Sequence, residues 1–213
     1  MPLIHTGLRR YTAGVAFAVF IGITAVPVAA QAPVVPLAPQ HVTVATAVSA
    51  TANALSAIHI DNFGQVNDRY YRGARPQGDD FRALAALGVK TLIDLAEEGD
   101  QSEEANAKTA GMHFVRIPMS TRKAPSAETV AQFLALVNDP ANQPVYVHCI
   151  GGRHRTGVMT AIYRMNVDGW NSARAWTEVK QYKYGAEFLH PEFKEFISSY
   201  VPAPVATPEA RQR

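Results

Sequence analysis

The sequence predicts an α/β fold, a single domain whose central, mostly parallel sheet is flanked by helices. Three observations point there. Short apolar runs rich in β-forming residues alternate with helical stretches between residues 58 and 201. Glycines close two of the early helical stretches. One apolar run, Val145–Val147, passes through a glycine-bearing turn into a further helix, an order typical of ligand-binding units in open parallel sheets.

The elements follow in order. Arg69–Arg72 reads as a short strand. Asp79–Leu87 is a helix stopped by Gly88, and Lys90–Leu95 is a strand. Ser102–Ala110 is a helix stopped by Gly111, and Met112–Ile117 is a strand ended by Pro118. Ser126 is the N-cap of a helix running to Val137, with Val130, Phe133, Leu134 and Val137 on one face. After the strand Val145–Val147, helices are expected over Thr156–Met165, Asn171–Gln181 and Pro191–Tyr200.

The ends of the chain differ from this domain. Arg9 and Arg10 precede an apolar run from Ala13 to Ala30, followed by the small-x-small triplet Ala30-Gln31-Ala32. That is the layout of a secretory signal, so residues 1–32 are expected to be removed and the protein exported, periplasmic or secreted. An uncleaved membrane anchor is the alternative, although Gly14, Gly22, Thr24 and Pro27 make a poor span. Residues 33–57 are uncharged and rich in Ala, Val, Thr and Pro, which reads as a linker with a short helix near Thr46–Ala57. Residues 202–213 read as a disordered tail. The whole chain has a formal net charge of +2. Without Arg9 and Arg10 the mature chain is neutral, which argues against nucleic acid as a partner.

The only cysteine, Cys149, excludes an internal disulfide. Its neighbours give it a role. The segment runs Val145-Tyr-Val-His-Cys149-Ile150-Gly151-Gly152-Arg153-His154-Arg155-Thr156-Gly157. Gly151 and Gly152 allow successive backbone amides to turn inward. Inward amides at a helix N-terminus make an anion site. A thiolate on its floor is a nucleophile, favoured as the anion by those amides and by Arg155. Arg155, six residues on, can bring a planar fork to two phosphate oxygens. Thr156 can hydrogen-bond the sulfur as it leaves. Ile150, Gly151, Gly152, Arg153, His154 and Arg155 then form the substrate-binding loop.

This segment resembles the signature of the cysteine-dependent protein tyrosine and dual-specificity phosphatase superfamily: His-Cys, five residues, then Arg-Ser/Thr-Gly. His148-Cys149 and Arg155-Thr156-Gly157 match it completely. The run Gly152–Gly157, with Asn138–Pro144 and Tyr71-Arg72-Gly73-Ala74-Arg75-Pro76, is similar to the atypical small dual-specificity phosphatases of plants and fungi and their bacterial relatives. The resemblance covers about residues 60–201. It implies a tyrosine-phosphatase-like fold and a phosphocysteine intermediate, and since the sequence shows no pattern of His, Cys and carboxylates at metal spacing, no metal or other cofactor is expected. The substrates it implies are phosphorylated proteins, phosphotyrosine first, or polyphosphorylated small molecules such as inositol pyrophosphates. A phosphate-binding module without turnover and a sulfurtransferase are the competing readings.

The superfamily usually draws a general-acid Asp from a loop ahead of the nucleophile strand. The matching stretch here, Pro118–Pro125, has no acid and carries Arg122 and Lys123. Asp94 is taken as the candidate proton donor, with Glu97, Glu98 and His154 as alternatives.

Overall fold

The computed structural model describes residues 54–202. The signal segment 1–32, most of the linker and all but Pro202 of the tail lie outside the described residues, as does most of the expected helix near Thr46–Ala57, of which a helical turn at 54–56 is described. Among the described residues no helix is long and apolar enough to cross a membrane.

The chain opens with β1 (Gly64–Asn67) and β2 (Tyr70–Gly73), then α1 (Asp80–Ala86), β3 (Thr91–Ala96), α2 (Glu103–Thr109) and β4 (His113–Met119). It continues through α3 (Ala127–Asn138), β5 (Val145–His148), α4 (His154–Val167), α5 (Ser172–Gln181), a 3₁₀ turn at Glu187–Leu189 and α6 (Pro191–Ser199). The five strands form one sheet in the order β1-β2-β5-β3-β4. Every neighbouring pair is parallel except β1 with β2. The fold is therefore the expected α/β arrangement with an antiparallel edge.

β1 has no counterpart in the sequence reading. Its residues, Gly-Gln-Val-Asn, show no apolar alternation. Pairing of Asn67 with Tyr70 leaves only Asp68 and Arg69 as the turn. At the opposite edge, β4 runs on through Pro118 to Met119 rather than stopping at Ile117. Pro118 lacks an N–H, and an edge strand beside a register shift accommodates that loss.

Strand periodicity sorts the side chains onto two faces. Ile93, Leu95, Val145, Val147, Cys149 and Tyr70 join one core with Phe133 of α3, Ile162 of α4, Val179 of α5 and Phe193 of α6. Leu92, Tyr146 and Tyr71 join a second core with Phe81 and Leu84 of α1 and Ala107 of α2. The alternation puts Asp94 and His148 on the second face, opposite Cys149. It puts Arg72 on the Cys149 face, beside Val147 in register.

Ser126 caps α3 by accepting from the Thr129 amide at 3.2 Å. α4 starts at His154, two residues earlier than the sequence suggests. Arg155 thus belongs to the first helical turn.

Candidate active site

β5 lies between β2 and β3, and Cys149 follows directly from its carboxyl end. This is where open parallel sheets bind ligands. The thiol side chain is 3% exposed and forms no disulfide. Residues 150–153 curve from it into α4, whose N-terminus has no side-chain cap. Its first amides are therefore free of the usual competitor for an anion.

Three successive carbonyls of this loop are held from outside. Ile150 O accepts from the Arg75 amide at 3.1 Å, Gly151 O from Asn62 Nδ2 at 3.1 Å, and Gly152 O from Arg72 Nη2 at 2.5 Å. In a trans peptide the N–H points opposite to the carbonyl. Fixing these carbonyls on one side therefore turns the Gly151, Gly152 and Arg153 amides to the other. Gly152 adopts φ +64, and an added Cβ would sit 2.6 Å from the Ala74 nitrogen, so both its backbone angle and its close approach require glycine.

Arg155 is buried beside the loop. Its Nη1 donates to the Met119 carbonyl at 3.0 Å and pairs with Glu98 Oε2. The hydrogen bond from Arg155 holds the Glu98 carboxyl below the usual range. Glu98 is thus ionised at neutral pH and orients the guanidinium. Thr156 is buried and its hydroxyl has no hydrogen-bond partner among the described residues.

His154 is half-buried. Its Nε2 lies 2.8 Å from the Tyr184 carbonyl, and its ring is 4.1 Å from that of His190. Burial lowers its pKa. His190 Nδ1 in turn lies 3.0 Å from the Thr121 carbonyl, linking segment 120–125 to the loop. Arg122 and Lys123 in that segment are exposed and have no ion-pair partner among the described residues. Arg153 and Lys183 both pair with Asp61 at the outer rim. Ile150, next to the thiol, is 49% exposed.

Asp94 stands elsewhere. It is 0% exposed, its Oδ2 accepts from Arg116 Nε at 2.9 Å and its Oδ1 from the Ala96 amide at 2.8 Å. With both oxygens engaged on the far face of the sheet, it has no path to a leaving group above Cys149, and the donor role suggested by its strand-end position is corrected. It belongs instead to a buried ionic network. His148 Nε2 lies 2.9 Å from Glu103 Oε1, and Glu103 also faces Arg75 at 3.5 Å. Asp94, Glu103 and His148 offer ligand atoms within 4.8 Å of one another. Two guanidiniums, Arg75 and Arg116, already balance the two carboxylates, so the cluster works as an ion-pair network beneath the loop. His148 Nδ1, 3.3 Å from the Cys149 carbonyl, joins that network to the backbone of Cys149.

The family model described as DSP-PTPase phosphatase fused to NAD+ kinase matches residues 43–193. The inositol diphosphatase SIW14 of Saccharomyces cerevisiae is 29% identical over 142 residues, which span 63% of this chain and 50% of that protein. The dual specificity protein phosphatase TpbA of Pseudomonas aeruginosa is 28% identical over 126 residues, 59% of this chain and 56% of that one. The chain thus spans about half the length of these two relatives. Among solved structures, the core catalytic domain of the SIW14 phosphatase superposes with a TM-score of 0.59 at 26% identity, covering 68% of this chain and 89% of that domain. A thiol at the end of the central strand, a loop of outward-held carbonyls and a buried arginine in the next helix agree with these matches, and the chain belongs to the DSP-PTPase phosphatases.

Proposed function

We propose that Cys149 attacks phosphorus and that its substrate is a compound whose leaving group departs with little protonation, a phosphoanhydride of a polyphosphorylated small molecule. The S–P bond forms as the P–O bond to the leaving group breaks. Water then attacks phosphorus, and the thiolate departs with a hydrogen bond from Thr156. Arg155 and the loop amides bind the non-bridging oxygens throughout.

One observation carries the substrate class: the cationic groups of the site have no neutral carboxyl beside them. Segment 118–125 has no acid, Glu98 is held ionised by Arg155, and Arg122 and Lys123 extend unpaired from the segment tied to the loop. A phosphoanhydride leaves as a phosphate anion and needs little help from a proton. SIW14, a relative, is named an inositol diphosphatase. The second reading is phosphotyrosine in proteins. The exposed Ile150 beside the thiol favours it, as an apolar contact for an aromatic ring, and TpbA is named a dual specificity protein phosphatase.

Full-length protein should release phosphate from p-nitrophenyl phosphate without added metal. Cys149→Ser should lose at least about a thousandfold in rate while still binding tungstate. Turnover surviving in Cys149→Ser would sink the nucleophile. An inositol pyrophosphate should exceed a phosphotyrosine peptide in kcat/KM, with a preference that weakens as salt rises; a salt-independent preference for the peptide selects the second reading. We also propose that the enzyme acts after export, on the strength of Arg9-Arg10, the apolar run and Ala30-Gln31-Ala32. Exported protein beginning at Pro33 supports this, and retention of all protein in the cytoplasm rejects it.

A further inference from the structure

Arg72 is 0% exposed, yet among the described residues no carboxylate pairs with it. Its Nη2 donates to Gly152 O, its guanidinium stacks 3.8 Å from the Tyr182 ring centre, and its Nε and Nη1 have no hydrogen-bond partner among the described residues. The acid of α5 that could have served, Glu178, is bound by Arg164 at 2.7 Å. The contrast with Arg75 and Arg116 is plain, since both of those face buried carboxylates on the other side of the sheet.

A buried charge without a counter-ion costs several kcal/mol, and replacing it with an apolar group of similar size is commonly neutral or stabilising. A cation kept at that cost needs an anion that comes and goes. Arg72 lies on the Cys149 face, in register with Val147 two residues before the thiol, and its fork ends on the loop itself. Burial lowers its pKa. An arginine stays protonated even so.

We propose that Arg72 is a positioning residue of the phosphate loop, whose buried charge is neutralised by the bound oxyanion and whose fork keeps the Gly152 carbonyl turned away from it. This inference rests on the reading of Cys149 as the nucleophile of a phosphoryl-binding loop. It assigns the oxyanion two arginines. Arg155 reaches it from the helix, and Arg72 acts from below through the backbone of residue 152.

A structural arginine and this one behave oppositely when removed. Arg72→Met in the full chain should melt no lower than wild type when free of ligand. Its tungstate affinity should fall at least about tenfold and kcat/KM by more than that. Arg72→Lys, which keeps the charge, should recover tungstate affinity to within about threefold of wild type. A lower melting temperature with tungstate affinity unchanged overturns the proposal, as does Arg72→Lys binding no better than Arg72→Met. Should Arg72→Met not fold, Arg72→Lys decides alone: a loss of threefold or less supports the proposal and a larger one overturns it. If wild type binds no tungstate and Cys149→Ser keeps turning over, the nucleophile reading fails and takes this inference with it. If wild type binds tungstate and Arg72→Met binds it equally well, this inference alone fails.

Discussion

The loop 150–153 and the segment 120–125 both reach Arg155 or its neighbours, but they are held in different ways. In the loop, three carbonyls in a row are fixed by donors from residues 62–75, and Gly152 packs against the chain at Gly73 and Ala74. Segment 120–125 is joined to the loop side through the Thr121 carbonyl and His190, and its basic side chains stand in solvent. One region has its backbone fixed by hydrogen bonds at three successive residues. The other supplies charge without fixed geometry. On the function proposed above, the first region would hold the phosphoryl group and the second would meet the group attached to it.

The largest test of that contrast is on the fixed side. Arg155→Lys keeps the charge but loses the fork, and should cut kcat/KM for p-nitrophenyl phosphate by about a hundredfold or more. A loss under tenfold would show that charge alone suffices and would erase the contrast. Glu98→Gln comes next, with an expected loss of about tenfold, because a neutral amide holds Arg155 less firmly than the carboxylate it replaces. The same variant has a pH signature. Glu98 has a lowered pKa in the folded protein, so its contribution to stability is full above the ordinary value of 4.5 and is lost as pH falls through the lowered one. Thermal melts of wild type and Glu98→Gln should therefore differ most at neutral pH and converge in acid. The smallest effect on rate is expected from Asp94→Asn. Activity per folded molecule should fall no more than about threefold, equally for aryl and alkyl phosphates, while the melting temperature drops because Arg116 loses its carboxylate. A loss confined to alkyl phosphates would return Asp94 to the role of proton donor.

What the sequence revealed divides along the same line. Residues 148–157 were legible as a candidate site because the residues there are contiguous: a cysteine, a glycine-bearing turn and an arginine at fixed spacing suggest an anion site without knowledge of the rest. The parallel strands were legible because buried β-forming runs are short and bounded. The antiparallel β1 was not, since Gly-Gln-Val-Asn has no alternating pattern and its pairing is imposed by β2. Asn62, Glu103 and Arg116 could not be read as parts of the site, and Glu98 was legible only as an alternative proton donor, not as the partner of Arg155. Each is an ordinary polar residue locally and gains its role only from what tertiary packing sets beside it. Asp94 looked like a candidate acid because it ends an apolar run near the right strand. Strand periodicity, applied to Cys149 and Asp94 together, already separates their faces.

The clamp on the loop carbonyls has a consequence for how the molecule is made. Asn62 reaches Gly151 across 89 residues of chain, and Arg72 reaches Gly152 across 80. During synthesis the donors leave the ribosome long before their acceptors exist. The nascent β1–β2 hairpin must wait, with Arg72 still hydrated, until β5 slots in beside β2. Anion-binding competence is thus a late event in folding, acquired when the most distant contacts close.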